Sequence, residues 1–149
     1  MSSPPVIRRG HGTDLAAVVA LLKGFGLPTN DLASASDLRL WVVEAEHSVF
    51  GVIGMERFGT CALLRSLAVA PSHQKRGIGH QLVAHLEKEA QSDRVEQLVL
   101  LTEAAETFFR AIGYEVTDRR YIPDEIRRTA EFSSLCPASA LCMTKSLPS

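Results

Sequence analysis

Apolar residues recur every three or four positions in two segments of the chain, a spacing that is typical of amphipathic α-helices. The first segment runs from Leu15 to Phe25, after Thr13 as a suitable N-cap, and two glycines and Pro28 predict its end. The second spans residues 78–91. Its predicted core-facing residues are Ile78, Leu82, Val83, Leu86 and Ala90.

Short continuous or alternating apolar runs predict seven β-strands. They lie at residues 5–10, 38–46, 47–59, 60–71, 95–102, 114–118 and 140–146. We expect a tight turn near residues 45–48. Gly51 and Gly54 predict a bend or bulge in the third strand.

Three shorter segments are predicted to be helical. Residues 103–113 follow Thr102 as an N-cap and end at Gly113 as a C-cap. Residues 122–131 carry Pro123 near their start and Arg127 and Arg128 near their end, which suits a helix. Residues 30–37 form a further short helix in this prediction.

The order of these elements predicts an α+β fold of three layers, in which a mixed, mostly antiparallel sheet carries helices on both faces. The 149 residues suit one domain over residues 1–149, with a core at about residues 5–146. The formal net charge of -1 gives no support to a nucleic-acid-binding protein, which usually shows a clustered basic excess. The sequence contains no apolar stretch of roughly 20 residues and no signal peptide, so we expect a cytoplasmic protein without a membrane partner.

The three cysteines, Cys61, Cys136 and Cys142, are too few and too widely spaced for a disulfide framework. The chain has no CxxC pair, and its five histidines lack zinc-ligand spacing. We therefore expect no metal site, including no site for a thiophilic metalloid.

The loop at residues 74–79, QKRGIG, lies between a predicted strand and a predicted helix. Amides at a helix start lack internal partners, and glycines let a phosphate approach them closely. Lys75 and Arg76 add positive charge. The loop therefore predicts a pyrophosphate site, although on its own it also fits an ordinary glycine-containing helix start. It matches neither the P-loop nor the dinucleotide-binding motif.

Val69-Ala70-Pro71 followed by Gln74-Lys75-Arg76-Gly77-Ile78-Gly79 resembles the central motif of the GCN5-related N-acetyltransferase (GNAT) superfamily. A second block of that superfamily is matched by Ala105, Phe108, Phe109, Gly113 and Tyr114. Three further stretches, LLRSLAVAP, LLT…FF…GY and TAEFSSLCPASALCM, are similar to the small acetyltransferases encoded in arsenic-resistance operons.

The resemblance implies an N-acetyltransferase that uses acetyl-CoA as donor and transfers acetyl by direct attack of a small amine, with a homodimer as an analogy from the family. The donor-binding residues that it implies are Leu67, Ala68, Val69, Gln74, Lys75, Arg76, Gly77, Ile78, Gly79, Thr102, Phe108 and Phe109. In this interpretation, strand backbone groups hold the pantetheine arm and the loop amides hold the pyrophosphate.

Two positions depart from the family pattern. Arg65 stands where many members carry a glutamate base, and arginine stays protonated. Glu56 on the neighbouring strand is a candidate base acting through water, as are Glu44 and Glu46, or the amine arrives with a low pKa. A solvated strand-end role for Glu56 also remains open. Phe109 stands where many members carry a tyrosine acid, and we expect it to be a core aromatic beside Phe108. Either Ser66, Thr102 or water protonates the thiolate, or the thiolate leaves directly into solvent.

Arg65 is either a structural residue or a ligand for a substrate carboxylate. The second role predicts an amino-acid-like acceptor. The segment EFSSLCPASALC, residues 131–142, has two interpretations. It is a loop and final strand with buried cysteines, or it brings Ser133, Ser134 and Cys136 to the acceptor. Ser66 is assigned to the same acceptor site. The competing hypothesis is a non-catalytic protein that binds acyl-CoA, or a metalloid through its thiols.

Overall fold

The computed structural model describes residues 4–27, 29, 32, 38–74, 76–129, 132 and 140–148. Within them seven strands form one sheet in the order β1-β2-β3-β4-β5-β7-β6. The strands are β1 Val6–Arg9, β2 Leu38–Ala45, β3 Ser48–Phe58, β4 Cys61–Val69, β5 Gln97–Thr102, β6 Glu115–Thr117 and β7 Leu141–Ser146. Only the β4–β5 pair is parallel among them. The predicted mixed, mostly antiparallel sheet is confirmed.

Within the residues that the structure describes, four α-helices lie on the two faces of this sheet. They are α1 Leu15–Gly24, α2 Ile78–Ser92, α3 Glu106–Ala111 and α4 Asp124–Arg127. The α2 helix and Phe109 of α3 pack on one face, against Trp41 and Leu98. The opposite face carries two separate clusters, one under α1 and one around Ile126 of α4. Within the described part of the chain, none of these helices has the length and apolar character needed to cross a membrane.

The apolar periodicity of α2 identified its buried side correctly. All five residues predicted to face the core are buried, and they are also the buried residues of the helix: Ile78, Leu82, Val83, Leu86 and Ala90. Burial of large aliphatic side chains contributes about 1.5–3 kcal/mol each. This face therefore holds α2 firmly on the sheet, with its first turn beside the end of β4.

Two register irregularities lie beside the glycines of β3, although the extra residue of the second belongs to β4 and not to the strand in which a bulge was predicted. The β2–β3 register shifts between Val43 and Glu44, and the β3–β4 register shifts between Val52 and Gly54. Gly54 faces Arg65, whereas Val52 faces Ala68. Two residues of β4 thus lie opposite a single residue of β3, which is the definition of a β-bulge.

Some predicted helix boundaries differ from the structure. A 3-10 turn precedes α1, and the carboxylate of Asp14 accepts a hydrogen bond from the His11 amide at 2.7 Å, so the chain turns before Thr13 can act as the N-cap. The α4 helix covers only four residues of the predicted 122–131. The helix predicted at 30–37 lies outside the described residues, except for Leu32.

Candidate functional site

A cavity of about 870 Å³ opens where β4 and β5 separate. The two parallel strands pair only from Cys61 opposite Gln97 to Leu63 opposite Val99. Beyond that point Leu64 and Leu100 are the first residues of each strand to line the cavity. Because a separated strand pair leaves backbone groups without ladder partners, this edge can accept an extended ligand.

The bulge in β4 shapes one wall of the cavity. Ser66 lies within it with φ of 60°, a left-handed conformation that is uncommon for a residue other than glycine. Such a residue costs on the order of 1 kcal/mol and persists only when its surroundings enforce it. Both Ser66 and the following Leu67 line the cavity, so the bulge places strand backbone beside the cavity rather than in the sheet ladder.

Arg65 is the buried cation of this wall, with 2% of the residue and none of its side chain exposed. Its Nη1 donates to Oε1 of Glu56 at 2.9 Å, and its Nε donates to Oγ of Ser66 at 3.1 Å. Glu56 is itself buried and accepts this ion pair from the neighbouring strand. Arg65 lines the cavity, whereas Glu56 is not among its lining residues. The sequence interpretation of Glu56 as a base therefore meets a carboxylate that is already engaged by Arg65.

The loop before α2 forms the opposite end of the cavity. Gly77 precedes the helix with φ of 77°, and a Cβ there would meet no atom within 4 Å. Gly79 lies in the first turn of the helix. A Cβ built on it would lie 3.5 Å from the ring of Phe108. Nε2 of Gln74 donates to the carbonyl of Val69 at 2.9 Å, which anchors the loop to the end of β4. These features leave the first amides of α2 approachable by an anion.

Aromatic rings form the wall between the two ends. Phe108 contacts Phe109, whose ring in turn contacts Tyr114, with centroids 5.0 and 5.3 Å apart. Tyr114 donates to Oε2 of Glu87 at 2.8 Å, and burial raises the pKa of its hydroxyl far above the ordinary range. Lys145 completes the network by pairing with Glu87 at 3.0 Å. Phe109 is therefore a packed core residue that also borders the cavity.

The end of β5 supplies a polar corner. Oγ1 of Thr102 accepts a hydrogen bond from the amide of Ala105 at 3.0 Å, as a cap would. The helix nevertheless begins only at Glu106, so Glu103 belongs to a bend and not to the first turn of α3. Thr102 and Glu103 both line the cavity.

Most residues assigned to the site from the sequence meet at this cavity. Those that line it are Arg65, Ser66, Leu67, Ala68, Val69, Gln74, Gly77, Ile78, Gly79, Thr102, Phe108 and Phe109. Arg76 is exposed and, like Glu56, does not line it. Lys75, Ser133, Ser134 and Cys136 lie outside the described residues.

The sequence interpretation missed several cavity residues. His73 and His80 flank the loop, Phe25 and Leu27 follow α1, and Ala140 precedes β7. The two histidines neighbour the predicted loop, which is a signal that could have found them. The other three come from distant segments, and no local pattern relates them to the loop.

Cys61 and Cys142 are buried free thiols, and burial raises the pKa of each to about 11. They pair with Gln97 and Leu101 of β5, four positions apart, which corresponds to roughly 13 Å along a strand. Among the described residues, moreover, no group of three or more His, Cys, Asp or Glu side chains could hold a metal ion.

Comparison with known proteins gives a consistent result. The model of a family described as acetyltransferase (GNAT) domain matches residues 36–116. An uncharacterised N-acetyltransferase of Chlorobaculum tepidum is 32% identical over 81 residues, which cover 54% of this chain and 50% of that protein.

Solved structures share the fold at low identity. N-acetylglutamate synthase from Neisseria gonorrhoeae, complexed with coenzyme A and N-acetyl-glutamate, has a TM-score of 0.83 and 20% identity, over 100% of this chain and 36% of that one. The ribosomal-protein-alanine N-acetyltransferase from Escherichia coli has a TM-score of 0.77 and 19% identity, over 98% and 96%. The chain thus spans half the length of the curated relative and about a third of the synthase.

Proposed function

The chain belongs to the GNAT acetyltransferase family, and from that premise we propose that it transfers acetyl from acetyl-CoA to the amine of a small, amino-acid-like acceptor. The observation that carries this proposal is a single cavity that joins the Gly77–Gly79 loop to the buried Arg65. The loop suits the anionic end of the donor, and Arg65 suits a carboxylate.

The donor would lie along the wall formed by β4. The first amides of α2 would bind its pyrophosphate, and the unpaired edge of residues 64–69 would bind its pantetheine arm in the manner of an added strand. This orientation directs the thioester toward the bulge at Ser66. An amine held there attacks the carbonyl carbon, and the carbon–sulfur bond breaks to release the thiolate.

The arrangement around Arg65 supports an acceptor with a carboxylate. Glu56 accepts one guanidinium N–H and Ser66 accepts another, so the planar head is held in a fixed orientation within the buried wall. Arginine recognises carboxylates through paired hydrogen bonds. The synthase neighbour was solved with an N-acetylated amino acid, which favours the same acceptor class. The Escherichia coli neighbour is named for a protein alanine, so peptides belong in the test.

The similarity of three segments to acetyltransferases of arsenic-resistance operons extends the proposal to a role in arsenic resistance. In that role the enzyme would acetylate an amine-bearing compound rather than bind a metalloid. The separation of Cys61 and Cys142 along β5 supports this distinction.

The proposal is tested by mixing the protein with acetyl-CoA and a panel of amino acids, matched amines without a carboxylate, and short peptides. We expect release of free coenzyme A thiol that depends on the acceptor, with amino acids preferred. Binding of acetyl-CoA without transfer to any amine would favour the non-catalytic alternative.

The assignment of Arg65 has its own prediction. Because loss of Arg65 alone would leave Glu56 as an unpaired buried charge, we compare Arg65→Met in a Glu56→Gln background with Glu56→Gln alone. A lost charge-assisted contact of about 1.5–3 kcal/mol corresponds to roughly a 10- to 100-fold rise in KM for the amino acid.

Acetyl-CoA affinity, measured by calorimetry, should stay the same in both proteins. The matched amine without a carboxylate should be unaffected by the Arg65 change. An equal loss for both acceptors would show that Arg65 is only structural.

A further inference from the structure

The lining of the cavity that includes Arg65 also includes an acidic residue that the reaction described so far leaves unused. We propose that Glu103 binds the ammonium group of the acceptor and accepts its proton before the amine attacks. This inference rests on the proposed function. It names the residue that takes the proton in that reaction. It also supplies a negative group for the ammonium group of the acetyl acceptor.

Glu103 is the only carboxylate that lines the cavity among the described residues. Within the same part of the chain it makes no side-chain hydrogen bond or ion pair, although most neighbouring acids do. Glu56 pairs with Arg65, Glu87 with Lys145, and Glu106 with Arg110. An acid at a cavity without an internal cation is suited to a cationic ligand.

The sheet places Glu103 and Arg65 on either side of the separated strands. Leu63 and Val99 are paired across the ladder and pack in the same cluster, against which Leu101 also packs. Because strand residues two apart share a face, Arg65 continues the face of Leu63 along β4. Glu103 follows Leu101 by two positions, just after β5 ends.

The turn after β5 keeps Glu103 out of α3. The hydrogen bond from the Ala105 amide to Thr102 Oγ1 closes this turn, and α3 starts three residues after Glu103. Glu103 therefore lies at the cavity outside any helix and is exposed to solvent. An exposed acid can pass the proton that it receives on to water.

A cation on one strand and an anion on the other match a zwitterionic amino acid. Arg65 would hold its carboxylate and Glu103 its ammonium group. Glu103 takes one proton and leaves a neutral amine, whose lone pair forms the new carbon–nitrogen bond. The carbon–sulfur bond then breaks, and the second nitrogen proton passes through water to the thiolate. The proton on Glu103 returns to solvent, so the products are the amide, the free thiol and one released proton.

Other titratable side chains at the cavity are less suited to this step. His73 and His80 flank the loop at the pyrophosphate end. Glu56 is engaged by the guanidinium of Arg65 and does not line the cavity. Glu103 is thus the described side chain that combines a negative charge, exposure to the cavity and the absence of an internal cation.

The test compares Glu103→Gln with Glu106→Gln, which changes an exposed α3 acid paired with Arg110 outside the cavity. For Glu103→Gln we expect kcat/KM for the preferred amino acid to fall about 100-fold at neutral pH. The deficit should shrink as the pH approaches the pKa of the amine, because neutral amine then forms without the enzyme. Glu106→Gln should keep the wild-type rate and pH profile.

Both variants should keep the wild-type acetyl-CoA affinity and unfolding temperature, because both side chains lie at the surface. Glu103→Asp should recover part of the lost rate. A Glu103→Gln protein with the wild-type kcat/KM and pH profile would overturn the inference while wild-type transfer upholds the proposed function. A loss that is equal at every pH would also overturn proton acceptance. No transfer by the wild-type protein would defeat both.

Discussion

Among single residues, Gly77 offers the clearest separation of binding from stability. Its φ of 77° is costly for any residue with a side chain, whereas the space around its Cβ position is open. Gly59 has φ of 65° and equally open surroundings, but it lies between β3 and β4, away from the cavity. The two glycines therefore form a matched pair in backbone strain.

We predict that Gly77→Val and Gly59→Val each destabilise the fold by about 1–2 kcal/mol, since both force a left-handed conformation. Only Gly77→Val should weaken acetyl-CoA binding, by at least about tenfold, because its side chain would occupy the approach to the α2 amides. Calorimetry with acetyl-CoA and chemical unfolding measure the two effects. Wild-type acetyl-CoA affinity in Gly77→Val would show that this loop does not bind the pyrophosphate.

Among secondary-structure elements, an ion-pair cluster joins β1, β2 and the turn before α1. Arg8 pairs with Asp14 at 2.9 Å and with Glu44 at 3.0 Å. The Arg8 guanidinium, helped by the His11 amide, lowers the pKa of Asp14 to about 2. Unfolding returns this carboxyl to an ordinary value near 3.9, so the folded state is favoured while Asp14 is charged.

This stabilisation should be complete above about pH 4 and should be lost as the pH falls toward 2. We predict that Asp14→Asn lowers the free energy of unfolding at pH 7 by about 1 to 2 kcal/mol, a range reduced because Arg8 is partly exposed. The difference from wild type should shrink toward pH 2 in urea unfolding curves. Asp124→Asn, which removes an exposed partner of Arg127, should cost much less.

If that difference instead stays constant between pH 7 and pH 2, the Arg8–Asp14 pair does not set the acid response of this region. If Asp14→Asn loses acetyl transfer at neutral pH while it stays folded, the turn before α1 affects the function of the cavity.

At the scale of the whole molecule, the rate at which the buried thiols are alkylated measures unfolding of the protein. Cys61 and Cys142 lie in the cluster around Ile126, and burial raises the pKa of both to about 11. Because the thiolate is the reactive form, neither should be alkylated appreciably at pH 8 in the folded protein. We predict that the Cys61 and Cys142 side chains become modified only as the protein unfolds in denaturant.

Arsenite should leave that modification unchanged, because the two thiols are too far apart to bind one ion. Fragment-ion mass spectrometry that assigns the modification to Cys61 or Cys142 individually gives the measurement, and fully denatured protein gives the reference rate. Rapid native-state modification of either side chain, or its protection by arsenite, would contradict the buried positions and revive a metalloid-binding role.

Local patterns predicted the elements better than their boundaries. The α2 helix and all seven strands follow periodicities that burial enforces over several residues, so they were found from the sequence. The start of α3 was predicted three residues too early because Thr102 accepts the same hydrogen bond in an N-cap and in an isolated turn. Because of that error, Glu103 was predicted to lie on a helix and not at the cavity.

By itself the sequence determined the order of elements, the buried side of α2 and the loop with two glycines that precedes it, because these depend on neighbouring residues. The tertiary structure alone decided that β4 and β5 separate after Leu63, that Arg65 pairs with Glu56, and that Glu103 lies at the cavity. Those features require strands distant in sequence to meet in a particular register. The physical reason is that sheet pairing and burial of charge are settled by the whole fold, whereas periodicity and capping act within a few residues.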